Sequence, residues 1–115
     1  MPLLGSAGQL ASMREVIVQT RIPLSIRLWR SGRNYLAIAN GRGVIRVLSR
    51  YLGREATLEF AGVSVRVRVT LLRQHDVQYI AFFLSTRMGP TWEAIKGKAG
   101  ELDATLVIEE GRVEE

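Results

Sequence analysis

Residues 62–73, Gly-Val-Ser-Val-Arg-Val-Arg-Val-Thr-Leu-Leu-Arg, alternate apolar and polar side chains. Valine occupies positions 63, 65, 67 and 69, and Ser64, Arg66, Arg68 and Thr70 lie between. Because successive side chains of a β-strand point to opposite faces, this alternation predicts a strand with one apolar and one cationic face. The β-branched valines favour a strand over a helix. We expect a central strand whose cationic face either binds an anion, with nucleic acid the leading candidate, or is a solvated outer face.

The length and composition of the chain limit the possible classes of protein. With 115 residues, of which 47% are hydrophobic, the chain suits one compact domain with a modest core. It contains no cysteine, which excludes disulfides and cysteine metal sites and fits a cytoplasmic protein. No apolar run approaches the roughly 20 residues of a membrane-spanning helix. The first residues lack the features of a signal peptide, so we expect no membrane association.

The charge of the chain is distributed unevenly. Of 16 basic and 11 acidic residues, positions 101–115 hold one arginine and six carboxylates, which leaves 15 basic and 5 acidic residues in positions 1–100. The body of the protein is therefore strongly basic and its end is acidic. Fourteen of the basic residues are arginine, whose planar guanidinium suits phosphate contacts and stacking on bases. This charge pattern favours an anionic partner.

Hydrophobic spacing predicts further secondary structure on both sides of the quoted stretch. Alternating or β-branched runs predict six more strands, over residues 15–20, 24–30, 35–39, 57–60, 78–84 and 105–109. Pro23 is expected to separate the first two, because proline cannot donate to a sheet ladder. Helical spacing predicts helices over residues 42–52 and 91–98, the first ending at Gly53.

The order of these elements occurs twice. Tyr35-Leu-Ala-Ile is similar to Tyr79-Ile-Ala-Phe, and Glu55-Ala-Thr-Leu is similar to Asp103-Ala-Thr-Leu, with a helix between the members of each pair. Short matches between strands also arise by coincidence, but two in the same order favour duplication. We expect an α+β fold: a mostly antiparallel sheet or small barrel from two β-β-α-β repeats, with helices outside. The expected divisions are an arm (1–13), one duplicated domain (14–111, repeats 22–62 and 63–111) and an acidic tail (112–115).

Catalytic patterns are weak in this sequence. His75 is the only histidine and lies in a polar turn, and no set of three or four metal-ligand residues converges in the sequence. The turn 40–43, before the first helix, could hold a phosphate through its amides, but the pattern favours an ordinary turn with an N-terminal cap. We expect a protein that is not an enzyme and needs no metal or cofactor.

Aromatic and basic side chains together form the stronger pattern. Non-specific single-strand binders stack bases on aromatic rings while guanidinium groups follow the phosphates. The residues expected at such a nucleic-acid-binding face are Arg27, Trp29, Arg30, Arg33, Tyr35, Arg66, Arg68, Tyr79 and Phe83.

The alternative is that these rings belong to the core. For Tyr79 and Phe83 both interpretations stay open, because these two rings could pack in the core while Ile80, Phe82 and Leu84 face solvent. Trp29 is expected to be exposed, because the alternate residues of its strand, Leu24, Ile26 and Leu28, already define an inner face.

Two family resemblances bear on the same question. Residues 32–39, Gly-Arg-Asn-Tyr-Leu-Ala-Ile-Ala, followed by a helix and by residues 53–60, Gly-Arg-Glu-Ala-Thr-Leu-Glu-Phe, resemble a swapped-hairpin AbrB-type DNA-binding unit over residues 24–63. In architecture, a cysteine-free basic domain with a sheet, flanking helices and an aromatic-basic cleft, the chain resembles the small archaeal Thermo-DBP-related single-stranded DNA-binding proteins. Both resemblances imply nucleic acid as partner, single-stranded in the second case and duplex in the first.

The expected function is therefore binding of single-stranded DNA or RNA with little sequence preference, with a homodimer left open. One alternative is an AbrB-like regulator that binds double-stranded DNA through Arg42, Arg46 and Arg50 of the first helix. A second alternative is a structural subunit whose cationic face binds an acidic protein.

Overall fold

The computed structural model of the protein describes residues 15–98 and 100–114. This part of the chain forms a small α+β domain with seven strands and two short helices, each of which is preceded or followed by a single 3₁₀ turn. The strands are β1 (Glu15–Ser31), β2 (Asn34–Asn40), β3 (Glu55–Phe60), β4 (Val63–Arg68), β5 (Thr70–Gln74), β6 (Val77–Leu84) and β7 (Leu102–Glu114). The helices are α1 (Val44–Leu48) and α2 (Gly89–Lys98).

All strand pairs are antiparallel, in the order β4-β3-β7-β1-β2-β6-β5. The two strands at the ends of this order, β4 and β5, are consecutive in the chain and only Val69 lies between them. The sheet therefore has to curl, so that its two ends meet at this residue. The expectation of an α+β fold with a mostly antiparallel sheet is confirmed as a curled, half-barrel sheet with two helices.

The alternation in residues 62–73 predicts a central strand, but these residues form the two end strands of the sheet, β4 and β5. At Val69 the backbone leaves the regular ladder: its carbonyl accepts from the Gly53 amide (2.8 Å) and its amide donates to the Arg54 carbonyl (2.9 Å). The alternation holds as far as this point, with Val67 and Val69 buried and the arginines of β4 exposed. Beyond it β5 pairs with β6, so a single run of sequence serves two different neighbours.

Pro23 does not divide β1, which is a single strand of 17 residues. Pro23 pairs with Thr105 of β7, whereas pairing with β2 begins only at Ser25. At Pro23 β1 is therefore an edge strand, where the missing amide hydrogen is tolerated. At its other end β1 pairs with β7 as far as Glu114, so residues 112–114 of the predicted tail belong to a strand. The predicted arm (1–13) and Glu115 lie outside the described residues.

The core fills the concave side of the sheet and is closed by the two helices. The alternate residues Leu24, Ile26 and Leu28 of β1 are buried there, as the sequence predicts. From the helical segments, Leu48 and Trp92 are completely buried, and the Trp92 indole donates to the Ser85 carbonyl at 2.7 Å. α1 is shorter than predicted, because a 3₁₀ turn (Ser49–Tyr51) replaces its last turn.

Two tight hairpin turns connect the strands of the second half. Ala61 and Gly62 have φ of 49° and 78°, and His75 and Asp76 have φ of 51° and 66°. Positive φ at both central residues matches the right-handed twist of the flanking strands. The turn at residues 75–76 brings Gln74 and Val77 into a directly paired position and sets the register of β5 on β6.

Candidate functional site

A groove of about 600 Å³ lies on the face of the sheet opposite the core, over strands β1, β2, β6 and β5. Apart from Arg30, its lining comes from alternate residues of these strands, whose side chains point to the face opposite the core. The twelve lining residues are Arg27, Trp29, Arg30, Ser31, Asn34, Leu36, Ile38, Asn40, Leu72, Gln74, Tyr79 and Phe83.

Strand register places two aromatic rings in one row across the groove. Trp29 of β1 pairs with Leu36 of β2, which in turn pairs with Phe83 of β6. Two strand spacings separate the two aromatic residues, or about 10 Å between their backbones. Trp29 is 49% exposed and Phe83 45% exposed, whereas Leu36 between them is only 7% exposed. The row is therefore an apolar floor with an accessible ring on each side.

The next rows along the strands make the groove amphipathic. Arg27 pairs with Ile38, which lines the groove, and Ile38 pairs with Ala81, whose small side chain is fully buried. In the third row Tyr79 pairs with Leu72. The Tyr79 hydroxyl lies 3.4 Å from Gln74 Oε1, at the limit of a hydrogen bond. The register thus gives three rings and a guanidinium around an aliphatic floor.

The charge of the groove is positive. None of the described residues that line it is acidic. Arg27 forms no ion pair with any carboxylate in the described part of the chain. A second cavity of about 320 Å³, which shares Arg27 and Trp29 with the groove, also contacts Lys96 at the end of α2. Among the described residues, carboxylates contact two lining residues: Glu101 accepts from the Asn40 amide at 3.2 Å, and Glu93 forms an ion pair with Arg30 at 3.0 Å.

Arg30, Tyr35 and Glu93 form a cluster that attaches α2 to the sheet. The Tyr35 hydroxyl donates to Glu93 Oε2 at 2.7 Å, and Arg30 Nη1 donates to the same oxygen at 3.0 Å. The hydrogen bond to Glu93, followed by burial, raises the pKa of Tyr35 above its usual range, although nearby Arg30 opposes this. The same hydrogen bond, together with Arg30, lowers the pKa of Glu93 despite its desolvation. The cluster thus stabilises an ionised carboxylate and a neutral phenol.

The structure brings five of the nine predicted site residues together: Arg27, Trp29, Arg30, Tyr79 and Phe83. Arg30 lines the groove, but its guanidinium is engaged by Glu93 and by the Gly32 carbonyl. The two alternatives for the rings of β6 resolve in favour of the groove, since the alternate residues Ile80, Phe82 and Leu84 of that strand are buried in the core.

The other four predicted residues do not line the groove. Tyr35 is 8% exposed and packs against Gly89 of α2, so its ring offers no stacking surface on this face. Arg33 lies in the exposed turn between β1 and β2. Arg66 and Arg68 lie on β4 and form ion pairs with Glu55 at 3.4 and 3.6 Å.

The floor of the groove, Leu36 and Ile38, was not among the residues expected from the sequence. These residues alternate with Tyr35, Ala37 and Ala39, which are buried on the core side. A strand that is apolar on both faces is typical of a strand covered on both sides. That pattern is the signal in the sequence that indicates a second apolar surface.

The described residues lack the features of a metal site and of a membrane-spanning helix. Within 15–98 and 100–114, no group of three or more histidine, aspartate and glutamate side chains converges as a metal site would require. His75 lies exposed at the tip of the β5–β6 hairpin. No helix in this part of the chain has the length and hydrophobicity needed to cross a bilayer.

Comparison with known proteins assigns no family. The chain matches no protein-family model, and comparison with curated proteins and with solved structures found no significant similarity. Any functional assignment therefore depends on the groove and its surroundings.

Proposed function

We propose that the protein binds single-stranded nucleic acid, with little sequence preference, in the groove on the outer face of the sheet. The observation that carries this proposal is the row formed by Trp29, Leu36 and Phe83, in which two half-exposed rings flank an apolar floor. Large aromatic side chains left in water on a small protein are typical of a binding surface. Bases stack on such rings with a gain of about 1–3 kcal/mol each.

The charge around the rings supports an anionic polymer over a neutral ligand. Arg27 lies one row from Trp29 and has no carboxylate partner among the described residues, and Lys96 follows in the adjoining cavity. Cationic side chains beside stacking rings are the combination that single-strand binders use, because the charges follow the phosphates while the rings take the bases. In a duplex the base faces are already stacked on one another and would not reach these rings.

A binding role with little sequence preference also fits the polar groups of the groove. Ser31, Asn34, Asn40 and Gln74 lie at the ends of the strands and not beside the floor. Stacking on Trp29 and Phe83 accepts any base, since every base has an aromatic face. We therefore assign the groove to binding and not to catalysis.

The test is a titration of matched single-stranded and double-stranded oligonucleotides at two salt concentrations, followed by fluorescence anisotropy. The proposal expects tighter binding of the single strand and an affinity that falls with salt. Trp29→Ala should weaken binding, whereas Leu52→Ala, at an exposed apolar residue outside the groove, should not. Equal or tighter binding of the duplex would reject the single-strand assignment.

A second candidate is supported by α1. Arg46 is exposed on α1, Arg42 in the turn before it and Arg50 in the 3₁₀ turn after it, so that three cations in and around the helix could contact the phosphates of a duplex. This arrangement fits the AbrB-like regulator that the sequence resembles over residues 24–63. Preference for duplex competitor, together with loss of duplex binding in Arg46→Ala, would favour it over the first proposal.

We also propose that the domain consists of two β-β-α-β repeats. The equivalent strands β2 and β6 pair with each other, and so do β3 and β7, as a pseudo-twofold axis requires. When the two-residue turns 32–33 and 75–76 are aligned, Trp29 corresponds to Leu72 and Leu36 to Tyr79, and all four line the groove. An experimental structure in which residues 22–62 fail to superpose on residues 63–111 would exclude this duplication.

A further inference from the structure

The groove continues at one end into another cavity. A depression of about 230 Å³ between β1 and α1 shares Asn40 with the groove and is also lined by Arg42, Val44 and Val47. Because Asn40 lines both, they adjoin each other at the end of β2. A single-stranded nucleic acid that lies along β2 in the groove would reach Arg42 directly after it passes Asn40.

Two arginines lie at this cavity: Arg42 lines it, and Arg46 is next in the chain to the lining residue Val47. Arg42 and Arg46 are exposed, and neither forms an ion pair with a carboxylate in the part of the chain that the structure describes. Arg42 lies in the turn before α1 and Arg46 lies within the helix, which has no acidic residue in its first turn. A phosphate beside these two guanidinium groups would therefore meet no carboxylate of α1.

An exposed apolar side chain lies beside these cations. Val47 is 51% exposed although it lines the cavity. Farther along, Arg50 and Arg54 lie 5.7 and 5.8 Å from the centre of the same Tyr51 ring, which keeps two more guanidinium groups near one another. The surface beyond Asn40 therefore repeats the combination of cationic and apolar groups found in the groove.

We infer that the bound single strand leaves the groove past Asn40 and continues over Arg42 and Arg46, so that the binding site is longer than the groove. This inference rests on the proposed function. Along β2 the groove extends from Asn34 to Asn40, which is about 20 Å for six residues of strand. A short oligonucleotide would fill only this part, whereas a longer oligonucleotide would also contact Arg42 and Arg46.

The test compares two end-labelled oligothymidylates of about 4 and about 12 nucleotides, within the range of lengths that single-strand-binding folds cover. Their affinities for the full-length protein are measured by anisotropy over a series of salt concentrations. The variant is Arg42→Ala with Arg46→Ala. The control, Arg73→Ala with Arg87→Ala, removes the same charge from two exposed residues that line none of the three cavities.

The double variant should bind the longer strand roughly tenfold more weakly than the wild type and the shorter strand equally well. Loss of two phosphate contacts should also flatten the slope of log affinity against log salt by about 1.4, for the longer strand only. If the alanine variant unfolds, Arg42→Gln with Arg46→Gln removes the same charges and keeps more of the aliphatic part of each side chain.

The outcomes separate this inference from the proposed function. If neither strand binds the wild type, both fail. If the short strand binds but the longer strand gains no affinity, or if the variant loses no more than the control, the inference fails and the assignment of the groove stands.

Discussion

Replacement of Trp29 by alanine separates binding from folding more clearly than any other change in the groove. About half of the side chain is exposed, and the rest packs over the floor that Leu36 forms. A fully buried tryptophan covers about 150–250 Å². Half of that area, at about 25 cal/mol per Å², corresponds to roughly 2–3 kcal/mol of stability. Trp29→Ala should therefore cost less than the roughly 3–5 kcal/mol expected of a core tryptophan.

Relative to the contact that is lost, Trp29→Ala should reduce the affinity for single-stranded nucleic acid more than it reduces stability. One stacked base contributes about 1–3 kcal/mol, so the affinity for a single strand should fall by about 5- to 150-fold. Trp29→Phe keeps a ring at the same position and should recover most of this loss. The assay is anisotropy well below the midpoint of thermal unfolding, with circular dichroism to show that each variant is folded. Unchanged affinity in folded Trp29→Ala would refute the placement of the bases on this ring.

Fluorescence tests the same ring without loss of the groove. The chain has two tryptophans, and Trp92 is completely buried. In the wild type a single strand should quench the red-shifted part of the emission, which comes from Trp29. In Trp29→Phe only Trp92 remains, and its emission should be blue-shifted and insensitive to the strand. Equal quenching of both proteins would mean that the strand does not contact Trp29.

Three further predictions concern charge, pH and the proposed repeat. Arg27→Ala should flatten the salt dependence of log affinity by about 0.7 for a single strand, and an unchanged slope would remove Arg27 from the phosphate path. Tyr35→Phe should destabilise the protein between about pH 4.5 and pH 10, the usual pKa values of the Glu93 carboxyl and the Tyr35 phenol. The measurement is chemical denaturation over a range of pH. Because the pKa of Glu93 is lowered, the stability that the hydrogen bond contributes is lost as the pH falls through that lowered pKa. Because the pKa of Tyr35 is raised, the same stability is lost as the pH rises through that raised pKa. A difference in stability that does not depend on pH would contradict the hydrogen bond. Leu72→Trp, which places an indole at the position equivalent to Trp29, should tighten single-strand binding by up to the 1–3 kcal/mol of one stacked base, measured by anisotropy, and weaker binding would show that the strand does not reach this half of the groove.

Features that depend on a single strand could be predicted from the sequence. The burial of Leu24, Ile26 and Leu28 and the exposure of Trp29 follow from alternation along β1, because consecutive side chains must point to opposite faces. The positive φ of Gly53 after the first helical segment follows similarly from its position next to a helix end. In each case the physical cause lies within a few residues of the side chain concerned.

Features that depend on the neighbouring strand could not. The interruption at Val69 arises because its amide and carbonyl bond to Arg54 and Gly53, which are far away in the sequence. Continuation of β1 through Pro23 is possible only because β2 pairing begins at Ser25. Neither fact can be read from the residues of the stretch itself, because both depend on which strand lies alongside. The same limitation applies to the groove, whose floor needs the register of β2 on β6.

The two tyrosines of the sequence repeat illustrate how one residue of register decides the site. Matching by similarity pairs Tyr35 with Tyr79, but Tyr35 is buried against α2 whereas Tyr79 lines the groove. A shift of one residue moves a side chain to the other face of a sheet, so these two rings cannot be equivalent. Alignment on the two hairpin turns instead pairs Leu36 with Tyr79, both on the groove face.

Under that alignment the proposed pseudo-twofold axis crosses the groove, but the side chains on its two sides differ. Trp29 corresponds to Leu72, and Phe83 corresponds to Asn40, so the row with two rings lies at one end only. Two cations that form no ion pair within residues 15–98 and 100–114 lie next to the groove: Lys96 in the cavity beside Trp29, and Arg42 in the cavity beyond Asn40. A strand bound here would therefore stack mainly at the Trp29 end and be held mainly by charge at the Asn40 end. Phosphate contacts weaken as the salt concentration rises, whereas stacking does not. The contacts at the Asn40 end should therefore contribute less to affinity at high salt, while the contacts at the Trp29 end should keep most of their contribution.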